Sequence, residues 1–442
     1  MPKERIVSGI DVGSSKIATI IAQISEEEQT SIIGVSSVPS RGIKKGVVVD
    51  IDEAVEAISE CLEGAERMAG YAVSTAFVTV DGVHISSVNS SGVVAVSSPD
   101  AEIGKNDIER VTEAARAISL PSSREILHVL PRTFSIDNQD GVDDPIGMSG
   151  VRLQVETHII TGAASSMRNL AKCVNQVGVD IEDLVFSGFA SAEAVLSETE
   201  KELGVILVDI GGGTTKLILF VEGSPAYSCV LPVGGKNITN DIAIGLRISL
   251  EDAERVKQFV SEYRPPTFPE SRKPANAEGA EKFAGTLKKA EALKKSEEEE
   301  IDVSNLGIAE LPTVDKKFLQ DGVIKPRLEE IFEEVASRIR KSGFEGQMPS
   351  GLVVCGGAAQ TIGLPAVAKR VLRLPLRIGQ PTGVSGLIDE VSMPAFAASI
   401  GTVLYGIHLV PEHKLPLVNT LPIGKVKDKV KKTVDWIKSF MP

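Results

Sequence analysis

Apolar residues dominate from Ile6 to Val12 and again from Ile17 to Ile24, with the polar stretch Gly13-Ser14-Ser15-Lys16 between them. Two short apolar runs around a Gly/Ser turn predict a β-hairpin rather than a strand-to-helix unit. Further strands are expected around residues 31–38 and 46–49. From residue 51 to 69 the period changes: Ala54, Ile58, Leu62, Ala65 and Met68 recur at helical spacing, and Asp50 or Asp52 stands where an N-cap is needed.

Residues 75–164 read as short strands around one helix, 106–118, with Gly/Pro/Asp turns at 140–150, a small module inserted into the first domain. Helices are expected at 167–178, at 186–196 and, strongly amphipathic, at 325–342; a strand at 351–355 runs into the turn 356–359. Residues 264–300 are rich in Pro, Lys, Glu and Ala and poor in large apolar side chains. Such a stretch buries too little surface to offset its ordering entropy, so it reads as a loop with a solvated helix near 280–300. Pro411, Pro416 and Pro422 mark an extended linker.

One pattern occurs twice. Asp11-Val-Gly13-Ser14-Ser15-Lys16 is echoed by Asp209-Ile-Gly211-Gly212-Gly213-Thr214-Thr215-Lys216, again between apolar strands, which predicts two related halves. Each turn closes a buried strand with small residues whose backbone N–H groups can converge on an anion. Lys16 adds a cation to the first turn. Asp11 and Asp209 would accept from the water shell of magnesium, an ion that keeps several of its waters. A third turn, Gly356-Gly357-Ala358, lets backbone approach an adenine or ribose. A single turn of this kind is ordinarily just a tight turn; two matched turns and a third make a polyphosphate clamp the better reading. Neither a P-loop nor a Rossmann glycine fingerprint occurs.

At 442 residues the chain is too long for one core. Its net charge of −13 argues against generic nucleic-acid binding. Six lysines from Lys425 onward, against Asp428 and Asp435, give the end of the chain +4, so the residues before it carry −17. Cys61, Cys173, Cys229 and Cys355 are scattered and read as buried apolar residues of a reducing compartment. The charged start of the chain lacks a signal-peptide core, and no apolar run is long enough to span a bilayer, so neither export nor a transmembrane segment is expected.

On a helical wheel Val426, Val430, Thr433, Val434, Trp436, Ile437, Phe440 and Met441 share one half, and the two aspartates lie opposite. Lys425, Lys427, Lys431, Lys432 and Lys438 flank the apolar zone, where their stems can snorkel to anionic headgroups. A helix docked on its own body has the same spacing, but the proline linker and the lysines beside Trp436 favour a membrane interface. Two or three large side chains at roughly 1.5–3 kcal/mol each, with about 1 kcal/mol per lysine, give reversible anchoring that linked copies would strengthen.

The order of a first phosphate turn (Asp11 to Lys16), a connecting helix (187–196), a second phosphate turn (Asp209 to Thr215), an adenosine motif (Gly356 to Ala359) and a second connecting helix (394–405) resembles the actin, DnaK-chaperone and sugar-kinase superfamily. Within it, Arg41-Gly-Ile, His128-Val-Leu-Pro131, Pro145-Ile-Gly-Met-Ser-Gly150-Val-Arg152, His158-Ile-Ile-Thr161, Asn240-Asp241-Ile-Ala243 and Gly356-Gly-Ala-Ala359 are similar to signatures of the bacterial cell-division FtsA family. The resemblance implies an actin-like α/β fold of two lobes, each a duplicated ribonuclease-H-like domain. Subdomain 1A would be 1–82 and 165–197, an inserted 1C 83–164, 2A 198–230 and 307–406, and 2B 231–306, followed by the linker 407–424 and the amphipathic helix 425–442.

It further implies ATP and Mg2+ in the cleft, with Gly234 and Gly235 beside the second turn and with Glu254 and Lys257 at the adenosine; on spacing alone those two equally suit an exposed i,i+3 pair. Glu193 falls where actin-like proteins orient the attacking water, and turnover is expected to be slow. The implied partners are the C-terminal peptide of the tubulin-like protein FtsZ through 2B, later division proteins through 1C, further copies of the chain in a filament, and anionic lipid on the cytoplasmic side of the membrane at the septum. The 264–300 stretch is longer than the usual connection there. The alternative is a PilM-like scaffold of a pilus assembly platform, which shares the phosphate turns. A chaperone needs a substrate domain after residue 405, and a sugar kinase a catalytic base and sugar pocket; neither is visible.

Overall fold

The opening hairpin lies inside a six-stranded sheet. The computed structural model describes residues 5–25, 29–97, 100, 102–262, 300–308, 311–387 and 391–409. Strands β1 (Arg5–Val12), β2 (Lys16–Ile24) and β3 (Thr30–Pro39) form an antiparallel meander, and a small hairpin of β4 (Ile43–Lys44) and β5 (Val47–Val48) leads to α1 (Ile51–Ala69). Asp50 caps that helix, its Oδ1 accepting from Glu53 N at 3.0 Å, and Gly70 ends it in the left-handed region at φ 65°. Ala54, Ile58, Leu62 and Ala65 are buried as the period requires, together with Ala57 and Cys61, but Met68 is 53% exposed. The last turn presses Ala65 and Ala69 onto Gly34, which leaves Met68 facing away.

Strand β6 (Thr75–Val80) pairs parallel with β1, so it belongs to this sheet and not to the inserted module. The module itself comprises β7 (Ser86–Ala95), α2 (Lys105–Arg116), β8 (Arg124–Ile136), β9 (Gln139–Val142) and β10 (Arg152–Ala163). Three of its strands are 10, 13 and 12 residues long rather than short. One face packs Phe134, Leu153 and Val155 against Val111 and Ala115 of α2, while the polar residues of the other face interrupt the apolar runs by which strand length is judged. The chain returns through α3 (Ala164–Gln176) to β11 (Asp180–Phe186), parallel to β6, and then to α4 (Ser187–Val195) and α5 (Glu198–Leu203).

A second meander follows: β12 (Val205–Ile210), β13 (Thr215–Val221) and β14 (Ser224–Leu231), with β12 and β13 buried throughout, as strands covered on both faces are. Helices α6 (Gly235–Leu246) and α7 (Leu250–Glu262), the pair β15 (Glu300–Asp302) and β16 (Thr313–Asp315), and a π-helical turn Phe318–Ile324 precede α8 (Lys325–Ser342). In α8, Leu328, Ile331, Phe332, Val335 and Ile339 form a buried stripe, roughly 1.5–3 kcal/mol for each side chain. Then come β17 (Leu352–Cys355), parallel to β12, α9 (Leu364–Leu372), β18 (Leu376–Ile378), β19 (Ser385–Gly386) on the edge of β3, and α10 (Ala397–Leu409).

The repeat is now visible as topology. Sheet order β11-β6-β1-β2-β3 in the first lobe matches β18-β17-β12-β13-β14 in the second, with the same parallel and antiparallel neighbours. The module joins the second lobe edgewise where Ser86 of β7 pairs with Cys229 of β14. All four cysteines are buried and none forms a disulfide. Among the described residues no helix is long and apolar enough to cross a membrane. Of the expected loop 264–300 only Glu300 is described, in β15; the linker 407–424 beyond Leu409 and the helix 425–442 lie outside the described residues.

Candidate nucleotide cleft

Both glycine hairpins close with the same bond: Gly13 N donates to Lys16 O at 3.1 Å, and Gly211 N to Thr214 O at 2.9 Å. The register pairs Asp11 with Ala18 and Asp209 with Lys216. Lys16 is therefore equivalent to Thr214, and Lys216 to Ala18; the two lysines of the echo do not occupy matching positions. Lys16 lies with its Nζ 3.1 Å from the centre of the Phe396 ring, and burial lowers its pKa to about 8 against the pull of Asp11. Lys216 lies 3.2 Å from Asp81 and 3.7 Å from Asp209. Its burial opposes the charge, but the surrounding carboxylates of Asp209, Asp81 and Asp11 outweigh it and raise the pKa, so the cluster keeps its ammonium.

Each strand-end aspartate is held by a hydroxyl from a connecting helix. Asp11 accepts from Ser399 of α10 at 2.9 Å and from Thr79 at 2.8 Å, and Asp209 from Ser191 of α4 at 2.8 Å. Burial drives the Asp209 carboxyl upward, against Lys216 and Ser191. The two helices cross in backbone contact: a Cβ on Gly401 would stand 1.6 Å from the Ala190 carbonyl oxygen. Helix α10 packs on β1 through Val403 and Thr402 against Gly9, and α4 packs on β13 at Gly188 against Lys216. Each lobe thus lends its helix to the other's sheet, and the lobes join where the helices cross.

The turns themselves meet. A Cβ on Gly212 would stand 1.9 Å from Ser15 Oγ, and one on Gly213 would stand 2.9 Å from Ser14 Cβ. Thr214 Oγ1 donates to Asp81 Oδ2 at 2.5 Å, and Lys236 Nζ to the Ser14 carbonyl at 2.6 Å. A polyphosphate gripped by both turns would need these contacts to open. The donor set otherwise suits one: two small-residue turns, cations alongside, and a glycine path next to them.

That path is the start of α6. Gly235 N and Lys236 N donate to the carbonyls of Gly211 and Gly212 at 2.9 and 2.8 Å, and a side chain on Gly234 would collide with the same turn. Gly235 also faces Ala358 and Lys257. Lys257 Nζ donates to Glu254 at 2.7 Å and to Thr239 at 2.9 Å. Burial opposes ionisation of Glu254, yet the charge and hydrogen bond of Lys257, with Thr239, hold its carboxyl below the ordinary range. Gly356 adopts φ +88° and gives up the space of a Cβ to Asp209 Oδ1, while Gly357 borders open space. The structure therefore gathers Gly234, Gly235, Glu254, Lys257, Gly356, Gly357 and Ala358 beside the second turn.

Glu193 is placed differently. It receives a hydrogen bond from Lys201 of α5 at 3.0 Å, and two residues along a helix turn the side chain about 200° away from Ser191, the α4 residue that meets Asp209. Among the described residues no group of three His, Cys, Asp or Glu side chains could cage a metal. Asp81, Thr79, Ser191, Lys236 and Ser399 are contributors that sequence reasoning missed. Asp81 had a signal, since it ends an apolar strand just as Asp11 and Asp209 do; the hydroxyls had none.

A family model described as "SHS2 domain inserted in FTSA" matches residues 82–161, and one described as "Cell division protein FtsA" matches residues 206–401. The chain is 37% identical to cell division protein FtsA of Pseudomonas aeruginosa, over 91% of this chain and 89% of that protein. It is 36% identical to that of Borreliella burgdorferi, over 97% and 95%, and 30% identical to that of Escherichia coli K12, over 98% of each. Among solved structures, a chain of a PilM-PilN type IV pilus biogenesis complex superposes with a TM-score of 0.60 at 17% identity, covering 91% of this chain and 98% of that one. That likeness is one of fold alone; this chain's fold is actin-like, with the inserted module at residues 82–161.

Proposed function

The chain belongs to the FtsA family of cell-division proteins, and from that premise we propose that it binds Mg-ATP between its lobes, self-associates, and tethers FtsZ filaments to the inner face of the cytoplasmic membrane at the septum. The observation that carries the nucleotide part is the pair of matched hairpins meeting across the cleft. Gly13, Ser14, Ser15 and Lys16 would hold the phosphates from one side and Gly211 to Thr215 from the other. Gly234, Gly235, Gly356, Gly357 and Ala358 would face the nucleoside, with Glu254 and Lys257 at its edge. Asp11 and Asp209 would accept from magnesium-bound water; the ion's contribution is to neutralise phosphate charge. Hydrolysis, with Glu193 orienting water, requires that carboxylate to leave Lys201.

A groove of about 340 Å³ supports the docking of the FtsZ C-terminal peptide. Its walls include Asp241, Ile244 and Gly245 of α6 and Val323, Pro326 and Arg327, so it extends past the 231–306 segment to the start of α8. Ile244 is 77% exposed, and Arg327 grips Asp241 through two nitrogens at 2.6 and 2.9 Å. Ile244 offers an apolar anchor for a short peptide, and Arg327, shared between Asp241 and Glu330, is a cation that an acidic residue of the peptide would take over from them. Later division proteins are assigned to the inserted module by family resemblance, and anionic lipid to Val426, Val430, Val434, Trp436, Ile437, Phe440, Lys431, Lys432 and Lys438 by sequence pattern. Removing residues 425–442 should abolish binding to anionic liposomes and recruitment of FtsZ to them while ATP binding persists. Liposome binding that survives the deletion contradicts the tether.

A further inference from the structure

We propose that Lys236 is a ligand of the nucleotide's phosphate chain, its ammonium exchanging the Ser14 carbonyl for a phosphate oxygen as the two turns separate. The inference rests on the reading of the cleft as an ATP site and assigns it a residue outside the glycine turns.

Lys236 touches both turns. Its backbone N–H is fixed to the Gly212 carbonyl of the second turn at 2.8 Å, and its side chain crosses to the Ser14 carbonyl of the first at 2.6 Å. An anion entering between the turns must pass the ammonium.

Three other lysines of the cleft are already committed. Lys216 is paired with Asp81 and Asp209, Lys257 with Glu254, and Lys16 lies on the Phe396 ring. Among the described residues Lys236 has no ion-pair partner; its acceptor is a neutral carbonyl. Burial of its ammonium end lowers its pKa, with Glu254 opposing and Lys257 adding to the effect. The residue as a whole is exposed, so the stem is free to swing.

A cation held by a neutral acceptor gains by moving to an anionic one, because a phosphate oxygen adds a full charge–charge attraction to a hydrogen bond whose donor is already ionised. The exchange also breaks the Lys236–Ser14 bond that joins the lobes. Phosphate binding and lobe separation are then one event. The second lobe carries the lysine with it on α6, since its backbone stays on Gly212.

The test is titration of Mg-ATP into the full chain and into K236Q and K236R, at low and at moderate salt. K236Q should weaken Mg-ATP by at least about tenfold and flatten the salt dependence of affinity, because one phosphate contact to a full charge is lost. K236R, which keeps the charge and the reach, should stay within about threefold of the parent and retain its salt dependence. A K236Q protein with unchanged affinity and salt response, in a parent that binds Mg-ATP, overturns the assignment of Lys236 and leaves the cleft reading intact. A K236R that fails as K236Q does also overturns it, since a packing role rather than charge is then responsible. A parent that binds no Mg-ATP removes both.

Discussion

Lys216 Nζ lies 3.2 Å from Asp81 Oδ2, an ion pair that spans the two lobes with side chains only 9% and 4% exposed. Asp81 directly follows β6 of the first lobe and Lys216 is the second residue of β13 in the second, so the pair ties the two lobes together. Replacing Lys216 by alanine strands the carboxylates of Asp81 and Asp209 in a buried site. Loss of one partner of a buried pair costs about 3–5 kcal/mol. Urea unfolding should show a decrease of that size for K216A and a smaller one for D81N, whose amide can still accept from Thr214. An unchanged midpoint for K216A contradicts the lobe-spanning role.

Gly401 gives a prediction with an unusual sign. Glycine to alanine inside a helix ordinarily stabilises by about 0.8–1 kcal/mol. Here the added methyl meets the Ala190 carbonyl oxygen at 1.6 Å, and the two connecting helices must move apart. G401A should therefore lower the melting temperature, by overpacking worth about 1–3 kcal/mol. A rise in melting temperature shows that the helices do not cross in backbone contact.

The buried histidines set a pH dependence. His158 is hydrogen-bonded to Asn89 at 2.7 Å and to Ser228 at 3.0 Å, and His128 Nε2 accepts from Phe186 N at 2.9 Å; burial holds the pKa of each at about 3. Between pH 6.5 and 3 the unfolded chain binds protons that the folded one refuses. Stability is then fully present above pH 6.5 and is lost as pH falls, by up to about 1.4 kcal/mol per pH unit for each histidine. Between pH 6.5 and 5, before most carboxylates titrate, H158Q should show a shallower decline than the parent. Parallel declines contradict the buried neutral state of His158.

The hairpins, the helix capped by Asp50 and the α8 stripe were legible because local pattern determines them. Lys16 and Lys216 were misleading: both follow a glycine turn, but only strand register reveals that one aligns with Thr214 and the other with Ala18. Asp81 escaped notice because its partner, Lys216, lies 135 positions away in the chain. The length of β8 and β10 was hidden by the polar face of the module, and the Ser86–Cys229 junction depends on a contact between lobes that no local period encodes. Glu193 was assigned its role by resemblance alone, and its hydrogen bond from Lys201, eight residues on, is a contact that no helical period encodes.

In the proposed site two aspartate-led turns grip one adenine nucleotide. Calorimetry of the full chain with Mg-ATP, beside the D11N/D209N double variant, measures that grip. The parent should take up one nucleotide per chain, and the double variant should bind it at least about tenfold more weakly. Folded parent protein that takes up no ATP, or a double variant that binds it as tightly as the parent, contradicts that grip.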